Sequence, residues 1–101
     1  MQTHQAPACF ADFSKVETAL AMYHAMTRIG EDQLTQWFDA KTETPVHTGA
    51  YLYRFQFGEY RMERALTWDG EQFVRPGSHQ KFHVCEGDQW RGLLEHINEF
   101  A

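Results

Sequence analysis

Two cysteines, Cys9 and Cys85, allow at most one disulfide, so this chain is not a secreted scaffold stapled by bridges. Its seven glycines are scattered, and none is grouped into a loop that could cradle a phosphate. No apolar run approaches the ~18 residues of a membrane span. The opening stretch MQTHQAPACFADF has no basic region followed by a long apolar one, so no signal peptide is expected. A cytoplasmic protein with reduced thiols and no membrane partner is the reading that these absences leave. Bases are scarce too: nine Lys and Arg stand against 14 Asp and Glu, for a net charge of −5. Non-specific coating of a nucleic-acid backbone needs a basic face, which argues against direct nucleic-acid binding. Carboxylates are not run together except at Glu31-Asp32, where they suit a helix N-terminus.

Aromatic residues are plentiful, with eight Phe, four Tyr and three Trp in 101 residues. That supply suffices for a packed core in one domain, although a chain this short buries only about 60–70% of its unfolded surface. The stretch DFSKVETALAMYHAMTRIG predicts a helix. Ser14 and Glu17 fit a capping box, Phe13, Val16, Ala19, Leu20, Tyr23 and Met26 share a face, and Gly30 is the stop. EDQLTQWFDA predicts a second, shorter helix with Leu34, Trp37 and Phe38 on one side.

The second half alternates instead. AYLYRFQF, EYRMERALTW and EQFV predict three strands joined at Gly58-Glu59 and Asp69-Gly70. Two-residue turns would set Phe57 opposite Tyr60, Phe55 opposite Met62, Tyr53 opposite Arg64 and Tyr51 opposite Leu66. The second turn would set Trp68 opposite Glu71. One face is then aromatic, the side the helices should cover; the other carries Leu52, Ala65 and Val74 in a row. KFHVC predicts a fourth strand, and DQWRGLLEHINEF a last helix with Asp88 as cap and Trp90, Leu93, Leu94 and Ile97 on one face. The expected fold is α+β: one domain over 1–101, with a helical layer 12–40, a linker 41–49, a three- to four-stranded antiparallel meander within 50–85, and a C-terminal helix 88–100 on the same face as the two N-terminal helices.

HQKFHVC holds the densest set of reactive side chains. Zinc takes imidazole and thiolate ligands, and His79, His83 and Cys85 are the candidates; Cys85 beside His83 would also be the pair needed for a thiol nucleophile. Neither a C-x-x-C nor an H-E-x-x-H spacing accompanies them, and strand alternation alone would turn Lys81, His83 and Cys85 outward. No cofactor and no catalytic residue is therefore assigned. Aromatics interleaved with Arg54, Arg61, Arg64 and Arg75 raise a single-stranded nucleic-acid reading, but the strand register consigns Tyr51, Tyr53, Phe55 and Phe57 to the covered face. Tyr23, Trp37 and Trp90 are expected mainly in the core. The row Leu52–Ala65–Val74 on the open face, rimmed by Arg54, Arg61 and Glu63, is the expected partner-binding patch or homodimer surface.

In size, charge and strands such as ALTWDGEQFV, the chain resembles the small acidic α+β accessory proteins of phages and prophages, among them anti-CRISPR inhibitors of host defence. The resemblance implies a binding protein that occupies a surface of a larger host nucleic-acid-targeting complex; it carries over no functional residue. A non-enzymatic protein-interaction module is the leading expectation. The alternatives are a small metal- or thiol-dependent enzyme at His79, His83 and Cys85, and a single-strand binder.

Overall fold

A computed structural model describes residues 7–10 and 19–94 of the chain. Its elements, in order, are α1 (Ala19–Met26), a single 3-10 turn (Glu31–Gln33), β1 (Phe38–Asp39), β2 (Gly49–Phe57), β3 (Tyr60–Trp68), β4 (Phe73–Val74) and β5 (Gln89–Arg91). The strands form one curled antiparallel sheet, a half-barrel, in the order β1-β5-β2-β3-β4. The long β2–β3 hairpin is its centre. Gly58-Glu59 sets the predicted register, with Phe57 opposite Tyr60 and Tyr51 opposite Leu66.

The next turn moves by one residue. Asp69 N–H donates to Gln72 O, and the Asp69 carboxylate accepts from the N–H of both Glu71 and Gln72 at 2.8 Å. That places Gly70, at φ +106°, and Glu71 at the tip. Trp68 therefore faces Phe73 rather than Glu71. A shift of two in register keeps every side chain on its predicted face.

The helical layer is the main correction. Among the described residues α1 is the one α-helix; the capping box at Ser14 and Glu17 lies outside them. Met22 and Met26, an i, i+4 pair, are its buried stripe, while Leu20 is 65% exposed. α1 covers the face opposite the expected one. It packs with Phe10, Ile29 and Leu93 on Ala50, Leu52 and Ala65. The aromatic face closes instead over Tyr51, Tyr53, Leu66, Trp68, Phe73 and Trp90, with Phe38, Phe82 and Val84 packed against them.

The predicted second helix is a 3-10 turn followed by extended chain. Thr35 N–H donates to Gly92 O, and Arg91 grips Thr35 O through Nε at 2.9 Å and Nη2 at 2.6 Å while pairing with Glu31 at 3.0 Å. These non-local bonds outweigh a weak helical preference. KFHVC is not a strand either: a single bridge joins Lys81 to Val74.

The predicted C-terminal helix is contradicted over 88–94; its remainder lies outside the described residues. Gln89–Arg91 insert between β1 and β2, putting Trp90 on the aromatic face and Gln89 and Arg91 on the other. Gly92 lies where the backbones close up: a Cβ there would meet Ala8 O at 2.5 Å and the Tyr51 ring at 2.9 Å. Gly92→Ala is thus expected to destabilise the fold by about 1–3 kcal/mol through overpacking, where a helical Gly92 would be stabilised by the same change. A urea titration of both proteins decides the sign.

Candidate functional site

The expected patch is closed. Leu52 and Val74 are each 4% exposed and Ala65 is wholly buried, Leu52 and Ala65 beneath α1. Arg54 is half-buried, its guanidinium 4.1 Å above the Trp37 ring with Nε donating to Gln89 Oε1. The Arg91 guanidinium lies 4.9 Å from the centre of the same ring, so two cations share Trp37. Only Arg61 and Glu63 of the expected set remain exposed, and Glu63 accepts a hydrogen bond from the Tyr23 hydroxyl at 3.1 Å.

His79, His83 and Cys85 are all exposed. Among the described residues no three His, Cys, Asp or Glu side chains converge as a metal would require. Cys85 has a structural duty: its N–H donates to Asp88 Oδ2, which also accepts the Tyr53 hydroxyl at 2.6 Å. Asp88, expected as a helix cap, is thus a buried clasp between loop and sheet. No disulfide joins Cys85 to Cys9, and burial pushes the Cys9 thiol up, away from thiolate chemistry. His83 instead borders an open cleft of about 310 Å³ with Lys41, Lys81, Trp68 and Phe73 on its walls. Lys41 and Lys81 are exposed, so neither is held in place for a small ligand.

The surface that stands out is the far end of the hairpin. β5 pairs with β2 only at Leu52–Arg54, and β4 pairs with β3 only at Thr67–Trp68, so neither neighbour reaches the turn. The aromatic face continues past them. Phe57 is 69% exposed, Tyr60 71% and Met62 43%, with Phe57 directly opposite Tyr60 and Met62 opposite Phe55.

Phe55 in turn meets Phe82, ring centres 5.4 Å apart. The Arg64 and Arg75 guanidiniums sit over that Phe82 ring at 5.4 and 5.7 Å. Burial, and then the charge of Arg75, lower the Arg64 pKa. Arg64 Nε is buried with no hydrogen-bond partner among the described residues. The site is therefore a run of exposed rings and a thioether that ends in two adjacent cations.

Sequence reasoning placed Phe57, Tyr60 and Met62 on the right face but under a cover. A signal for their exposure was present: the third strand, EQFV, is too short to reach the turn of a nine-residue hairpin arm. Comparison with protein-family models, with curated proteins and with solved structures finds no match to this chain.

Proposed function

We propose that the chain is a non-enzymatic protein-interaction module that seats the aromatic end of its β2–β3 hairpin on a partner protein. One observation carries this: Phe57, Tyr60 and Met62 form a contiguous exposed apolar surface at the end of a hairpin anchored in the core. Rigid aromatic side chains give large contact area at low entropic cost, and clustered apolar exposure marks interaction sites. Arg64 and Arg75 favour a partner surface that sets carboxylates beside an apolar recess. Inhibition of a larger nucleic-acid-targeting complex by occupying such a surface is the mode of action this reading extends to.

A second reading has its own support, since exposed rings beside arginines also stack and pair with single-stranded nucleic acid. One capture experiment separates the two. The tagged full chain is used as bait in lysate of the source cell, with and without nuclease. Phe57→Asp is expected to leave stability within about 0.5 kcal/mol, because the side chain is exposed, and to weaken capture of a stoichiometric protein at least about tenfold. Val46→Asp, at an exposed apolar residue in the segment that precedes β2, should capture as well as the parent. Protein capture indifferent to Phe57→Asp would sink the proposal. Retention of nucleic acid alone, falling steeply with salt, would establish the second reading.

A further inference from the structure

Among the described residues the outer edge of β3 is unpaired along its distal half. Phe57 and Tyr60 flank a two-residue loop and so form a hydrogen-bonded pair; alternation then points the N–H and C=O of Arg61 and Glu63 away from β2. The same alternation turns Ala50 O away from β3, where it accepts the N–H of Phe10 at 3.0 Å. Among the described residues no bond occupies the Arg61 or Glu63 backbone. An exposed strand edge is a template for another strand, and this one has no proline and no bulge.

We infer that the β3 edge pairs with the β3 edge of a second copy of this chain, antiparallel about a two-fold axis at Met62. The sequence selects that register. With Met62 opposite Met62, Arg61 of each copy faces Glu63 of the other, twice by symmetry, on the face that carries α1. On the aromatic face Tyr60 of each copy faces Arg64 of the other, a ring opposite a guanidinium.

The neighbouring registers are penalised. Centring on Glu63 sets Glu63 against Glu63, and centring on Arg61 sets Arg61 against Arg61 and Glu63 against Glu59; like charges directly opposite are destabilising. A two-fold interface needs a patch complementary to itself, and the segment YRMER has that property about its methionine. Edge pairing leaves the aromatic face open, so the two hairpin ends become one continuous surface. The dimer stands independently of the protein-partner reading.

The test is the mass of the full chain in solution, by light scattering or sedimentation, across micromolar to millimolar concentration. The parent is expected to dimerise. Arg61→Glu alone and Glu63→Arg alone each place like charges opposite one another twice, and each should weaken the dimer at least about tenfold. Arg61→Glu keeps the Tyr23–Glu63 bond, so its effect does not depend on that contact. Carrying both changes exchanges the charges and should restore the parent's affinity. A chain that stays monomeric at millimolar concentration overturns the inference, as does a dimer unmoved by the single reversals or not rescued by the double one. Loss of partner capture through Phe57→Asp leaves this measurement unaffected, since Phe57 lies on β2.

Discussion

Trp90→Ala is expected to lower the free energy of unfolding by about 3–5 kcal/mol, the range for truncating a large buried ring. Trp90 is 1% exposed at the crossing of β1, β5 and β2. Its indole lies 4.9 Å from the Phe38 ring and meets Tyr51 edge-on at 5.2 Å. Its Nε1–H donates to Glu43 O at 2.9 Å, which ties the segment before β2 to the sheet. The substitution therefore leaves a cavity, removes two ring contacts and orphans a carbonyl. Domains of this size are stable by only about 5–15 kcal/mol, so a large share of the fold's stability rests on one side chain. Urea unfolding followed by circular dichroism gives the number directly. Trp90→Phe should recover part of it, keeping the ring contacts but not the N–H donor. A loss below about 1 kcal/mol for Trp90→Ala would mean that the indole sits at a surface and not in a core.

Trp90 also shows why the register of the β2–β3 hairpin is legible in the sequence and the strand at Gln89–Arg91 is not. In the hairpin, turn and side chains agree: Gly58-Glu59 fixes a register, and that register sorts the rings to one face and pairs Arg54 with Glu63 on the other. Local and global signals are consistent there. In DQWRGLLEHINEF, Trp90, Leu93 and Leu94 fit a helical period, yet Trp90 and Leu93 fit strand alternation equally well: they enter opposite faces of the sheet, joining separate clusters. Leu94, which only the helix needed, is 55% exposed. Short apolar runs do not carry enough periodicity to decide between the two. The deciding contacts are those of Gly92 with Ala8 and Tyr51, and of Arg91 with Thr35, across separations that no local window spans.

The same gap explains the site. Which residues share a face was legible; which face is covered was not, because that depends on where α1 docks. A helix over Leu52 and Ala65 turns the expected patch into core. It leaves the aromatic face to be closed by β1 and the segment around Phe82, and these stop short of Phe57 and Tyr60. Arg61 and Glu63 kept their exposure because their face of the hairpin runs on past the core residues beneath α1. Their proposed pairing across a two-fold axis rests on residue order along an edge that no described residue occupies.

Raising the pH above about 10 is expected to destabilise the fold by about 1.4 kcal/mol per pH unit for each of two tyrosines. Tyr51 and Tyr53 have no exposed surface. Burial is the main cause that pushes both phenols well above their ordinary value of 10.0. At Tyr53 the hydroxyl also donates to Asp88, and a phenolate there would face that carboxylate at 2.6 Å; at Tyr51 the nearby Cys9 adds to burial. Because the folded state holds these protons more tightly than the unfolded chain, their stabilising effect is complete below the unfolded value. It is lost as pH climbs from 10 toward the raised values, where unfolding releases protons that the native state retains. The urea midpoint from pH 8 to 12, with phenolate absorbance recorded alongside, tests this: these two phenols should ionise only as the protein unfolds. Tyr51→Phe and Tyr53→Phe should each remove about one increment of the slope, whatever they cost at neutral pH. Ionisation of both phenols near 10 with the fold intact would show that neither hydroxyl is held in the closed aromatic face, and the half-barrel's closure over Tyr53 and Asp88 would have to be redrawn.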